Sequence, residues 1–141
     1  MLWQARPVRA GRSTLLVAAL VATLAGCGTV AERGDAASAV AVGLLEAVAA
    51  RDGSAACDRL APDTVDELER SAGVPCPEAI LDEDLPAPGE VLGADVFGQW
   101  AQVRLDGDTM FLAVFPDGWR VVAAGCSSRD PRPYQCELDG G

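Results

Sequence analysis

The chain has 141 residues, one domain's worth, with 11 basic and 21 acidic side chains and a net charge of −10. A surface of that sign cannot neutralise a phosphate backbone, which excludes nucleic acid as the partner. Histidine is absent, so the commonest general base and the commonest metal ligand are both missing, and the composition implies neither a metal nor a cofactor.

Residues 1–26 carry Arg6, Arg9 and Arg12 and no acid, and an apolar run over 15–25 leads to Gly26-Cys27. A charged start, an apolar stretch and small residues in that order make a signal peptide. The run is about half the ~20 residues a spanning helix needs, which favours cleavage over a permanent span. Leu24-Ala25-Gly26-Cys27 resembles the lipobox of bacterial lipoproteins. That resemblance implies that the sulfur of Cys27 receives a diacylglyceryl group, that residues 1–26 are removed, and that the new amino terminus takes a further acyl chain such as palmitate. The protein is then expected on the outer face of the cell membrane, held by lipid. Each buried CH₂ is worth ~0.8 kcal/mol, and stable anchoring takes more than one chain. Five cysteines are an odd number for an oxidising compartment, and assigning Cys27 to lipid leaves four.

The remaining residues, 27–141, hold eight arginines against 21 acids, a net charge of −13. Residues 27–34 read as the lipidated cysteine and a short polar tether, and 35–141 as a single domain. A helix is predicted over 35–51, capped by Asp35, with Val40, Leu44 and Val48 on one face and Gly53 placed to stop it. Ser54 can cap a short second helix through Cys57 and Leu60, ended by Pro62. Thr64-x-x-Glu67 has the form of a capping box for a third helix ending near Gly73. Pro77 suits the first turn of one more short helix reaching Leu81. The acids and prolines of 82–89 break the pattern and read as a loop.

Four apolar segments follow, over 91–97, 100–105, 109–115 and 119–124, separated by turns at 98–99, 106–108 and 116–118. Turns of that length make hairpins, so the segments form an antiparallel meander. Gln102 and Arg104 alternate with Ala101, Val103 and Leu105, which gives the second strand one wet and one buried face. Helices first and sheet second imply an α+β fold, with the helices packed on one face of a curved four-stranded sheet.

Cys57, Cys76, Cys126 and Cys136 allow three pairings. The local ones, Cys57–Cys76 and Cys126–Cys136, are expected. Zinc would need closer pairs than these. The acids at 82–84 and 106–108 offer oxygen ligands, but neither set has the twelve-residue calcium-loop spacing, and acids are common in turns.

The closing pattern, Gly118-Trp119 leading through Val121 and Val122 to Gly125-Cys126, then Pro133-Tyr134-Gln135-Cys136, resembles small actinobacterial lipoproteins of uncharacterised function. They in turn are similar to the cone-shaped α+β domains of the nuclear-transport-factor-two-like and polyketide-cyclase-like kind. Enzymes of that fold use a His, Asp or Tyr inside the cone, whereas this chain has no histidine and one tyrosine, Tyr134, in the expected disulfide loop. The resemblance implies a pocket at the mouth of the cone. Asp95 on the first strand either faces it or stands exposed on the strand, and Trp100 and Trp119 at the starts of two others either line it or a partner-binding patch, or pack as core aromatics. A non-enzymatic, membrane-tethered module is expected, binding another envelope protein or a small apolar ligand. The alternative is a small hydrolase or isomerase in which a buried carboxylate such as Asp95 is the base.

Overall fold

The computed structural model describes residues 28–140, so the expected signal peptide over 1–26 and the expected lipidation site Cys27 lie outside the described residues. Helix α1 spans Val30–Ala49 and begins five residues before the predicted start at Asp35. Thr29 and Glu32 form a capping box: the Thr29 hydroxyl accepts from the Glu32 N–H at 3.2 Å, and the Glu32 carboxylate accepts from the Thr29 N–H at 2.6 Å. Residues 30–34 therefore belong to the helix and not to a tether, because two otherwise orphaned amides are satisfied there. Gly34, Ala37, Ala41, Leu44 and Leu45 form the buried face.

Arg51, at φ 59°, turns the chain after α1, and Asp52, not Ser54, caps the short helix α2 (Gly53–Cys57) through the Ala55 N–H at 3.0 Å. Gly53 opens α2 instead of only ending α1, and a Cβ there would lie 1.9 Å from the carbonyl oxygen of Pro77. Helix α3 (Pro62–Ala72) starts at its proline, so Thr64 sits inside the first turn and not at the cap. Its hydroxyl donates instead to the carbonyl of Val122 at 2.8 Å. Helix α4 (Cys76–Ala79) continues into a 3-10 turn, Ile80–Asp82, and its Cys76 N–H donates to Glu69 at 2.8 Å.

The sheet is antiparallel and follows the helices: β1 (Val91–Phe97), β2 (Trp100–Leu105), β3 (Asp108–Phe115) and β4 (Gly118–Arg129) pair in chain order. Two short strands, β5 (Arg132–Gln135) and β6 (Leu138–Asp139), both pair with β4, so the sheet is larger than the four-stranded meander expected. The helices cover one face of it. Ala101, Val103, Met110, Leu112 and Val121 turn toward them and meet Leu44, Leu45, Leu60 and Ile80, all buried.

Two disulfides join Cys57 to Cys76 and Cys126 to Cys136, the local pairing. They close loops with sequence separations of 19 and 10, worth about 3 kcal/mol each by loop entropy. The first holds α2 to α4, and Gly53 lets the same two segments touch. Gly53→Ala is expected to destabilise the domain by about 1–3 kcal/mol through this backbone clash, read as a lower urea midpoint with both disulfides intact.

Candidate functional site

Alternation along the strands decides which predicted site residues can meet. Trp100 has the parity of Gln102 and Arg104 and stands on the face away from the helices, 54% exposed. Asp95 pairs across the ladder with Gln102 and shares that outer face. Its carboxylate lies 3.3 Å from the guanidinium of Arg104, with both side chains about half exposed. Trp119 has the parity of Val121, packs against the core, and carries the Arg33 guanidinium 5.4 Å over its ring. The three residues therefore do not line one pocket: Asp95 and Trp100 lie on one side of the sheet and Trp119 on the other.

The space between helices and sheet, where a cone would be hollow, is occupied by Leu44, Leu60, Met110, Leu112 and Val121, each 0% exposed. Every buried side-chain polar atom among the described residues has a hydrogen-bond partner, so no orphaned group points to a missing ligand. Asp108, the buried carboxylate, is committed to structure. It accepts from the Gly125 N–H at 3.2 Å and the Cys126 N–H at 3.0 Å. Burial raises its pKa, and these amide bonds pull the other way.

The outer face is where large apolar side chains remain uncovered. Phe97 and Trp100 face each other across the β1–β2 hairpin, 65% and 54% exposed. Farther along, Tyr134 from β5 stacks edge-on against Phe111 with ring centroids 5.1 Å apart, and its hydroxyl accepts from Gln102 at 3.2 Å. Tyr134 thus has packing and hydrogen-bonding work that accounts for it. The Cys126–Cys136 loop holds it there.

A second feature, which the sequence reading missed, is an acidic cleft of about 210 Å³ between α3 and β6, bordered by Glu67, Glu83, Glu137 and Asp139. The signal was dispersed over three segments of sequence and became a cluster only on folding. Among the described residues no set of three such side chains is arranged to hold a metal ion. Partial burial, then the charges of Glu137 and Asp82, raise the pKa of Glu83. No protein-family model, no curated protein and no solved structure matches the chain.

A carboxyl whose folded pKa is raised opposes folding when ionised. The cost of Glu83 is fully present above its folded pKa, is relieved as pH falls through that value, and no longer changes below the ordinary 4.5. Glu83→Gln is expected to raise the urea midpoint at pH 7 by an amount well under ~1 kcal/mol, and to give no gain near pH 4.

Proposed function

We propose that the protein is an extracytoplasmic lipoprotein, cut before Cys27 and held to the membrane by lipid on that cysteine, whose cone-like domain binds another envelope protein. The resemblance of its closing segment to small lipoproteins of uncharacterised function supports the reading, and the α+β fold is compatible with it. The observation that carries the reading is the exposed Phe97–Trp100 pair at the tip of the edge hairpin. Aromatic side chains of this kind anchor protein interfaces.

Two further facts favour a protein partner over a small apolar ligand or a reaction. The side of the sheet toward the helices is filled by leucine, methionine and valine. Asp95 is about half exposed and paired with Arg104 on the outer face, not set inside a cavity.

A photoreactive residue replacing Trp100 in the full chain should capture a discrete partner in intact cells, and one replacing Arg70 should not. Equal capture from both positions, or none from either, contradicts the partner. Trp100→Ala should weaken the captured complex by about 2 kcal/mol, roughly 30-fold, with little change in unfolding. Cys27→Ser should move the protein out of the membrane pellet, and its retention there contradicts the anchor.

A further inference from the structure

We propose that the end of the domain where α1 begins rests on the headgroup layer of the bilayer, with Val30, Val91 and Leu92 in contact with lipid. The inference rests on the reading of Cys27 as the lipid-bearing residue and adds an orientation to it. Two residues, Gly28 and Thr29, separate Cys27 from Val30, and the three residue steps reach about 10 Å at full extension. Thr29 is already fixed by its reciprocal bonds with Glu32, which leaves Gly28 as the free joint. The first turn of α1 is therefore held at the level of the lipid glycerol and cannot swing far from it.

The surface around that turn has the chemistry such a position requires. Val30 and Leu92 are 67% and 65% exposed and Val91 is 39% exposed, and all three border one open cleft of about 400 Å³ between α1 and β1, floored by Gly34 and Ala94. β1 is also an end strand of the sheet, and its outer edge carries no strand partner among the described residues. Arg33, three residues after Val30, is turned inward: it donates to the Gly98 carbonyl and lies over Trp119. Glu32 and Asp35 flank the same turn. The contact is therefore apolar and not an attraction of bases to anionic lipid, so it favours zwitterionic headgroups and resists salt. A bilayer is the occupant because the anchor brings it within reach.

The full, lipidated chain is reconstituted in phosphatidylcholine vesicles with brominated acyl chains, carrying an environment-sensitive fluorophore through Leu92→Cys, Val30→Cys or, as the remote control, Arg70→Cys. The four cysteines of the domain are disulfide-bonded, so the new thiol is the one labelled. The Arg70 control lies on α3, which packs on β4 and β6 at the far side of the sheet from β1. Emission from positions 92 and 30 should shift to the blue and be quenched by bromine, unchanged at about 1 M salt where charge contacts are screened. Position 70 should report water. Two labelled positions, both exposed, guard against one variant folding poorly.

If the intact mass shows the diacylglyceryl group but both labels report water, the orientation is wrong and the anchor stands. A blue shift without bromine quenching, growing with protein concentration, overturns the inference in favour of a second copy of the chain. An intact mass without lipid overturns the reading of Cys27 and the orientation with it.

Discussion

Val121 donates its N–H to the carbonyl of Arg59 and accepts from the N–H of Ala61, each at 2.8 Å, while its other edge pairs with Leu112 in β3. This bridge joins the helical half of the chain to the sheet through backbone groups, and its neighbours reinforce it. Arg120 donates to the carbonyls of Asp58 at 2.8 Å and Leu60 at 3.2 Å, and the Val122 carbonyl accepts from both Thr64 and Gly140. Leu60 and Val121 are consequently buried side by side in the core. β4 is thus an interior strand along most of its length, with β3 on one edge and residues 59–61, β6 and β5 in succession on the other.

A strand that serves so many partners cannot stay regular. The register with β3 slips so that Val122 is extra between Val121 and Ala123, and slips again before Cys126, where Gly125 takes φ 65°. Such bulges leave amides without ladder partners. Asp108 supplies the acceptors for Gly125 and Cys126, which explains why a carboxylate is buried at the start of β3. The second bulge also turns the chain toward the Cys126–Cys136 loop, so Tyr134 can reach Phe111 across the outer face.

The parts of this arrangement written in local pattern were readable from the sequence. Ala101, Val103 and Leu105 gave the buried face of β2, but the same parity, which puts Trp100 with Gln102 and Arg104 on the wet side, was not applied to Trp100, which was expected to line a pocket. Proximity along the chain selected the right disulfides. Thr29-x-x-Glu32 and Thr64-x-x-Glu67 have the same cap signature, yet only the first is a capping box. At the second, Pro62 starts the helix earlier and Val122 takes the threonine hydroxyl, a competition settled by a segment 58 residues away. β5 and β6 were equally unreadable, being four and two residues long and paired only because β4 presents an edge. The side of Trp119 depended on a register with β3 that no single strand discloses.

Filling the interior and closing both edges of β4 leave β1 as the place where apolar surface and unpaired backbone occur together. An edge strand of this kind invites pairing with another chain unless charge or irregularity blunts it. Here the Asp95–Arg104 pair crosses the middle of β1 and β2, and the ladder slips between Val91 and Gly93. The apolar side chains are thereby separated into two groups, Val91 and Leu92 at one end and Phe97 with Trp100 at the other. The five residue steps of extended strand from Leu92 to Phe97 span about 17 Å, too far for one small contact to cover both groups. Under the proposed anchor, Val91 and Leu92 belong to the membrane; Arg33 ties the hairpin turn at Gly98 to the first turn of α1, but Phe97 and Trp100 stand on the face away from the helices and remain open to a partner.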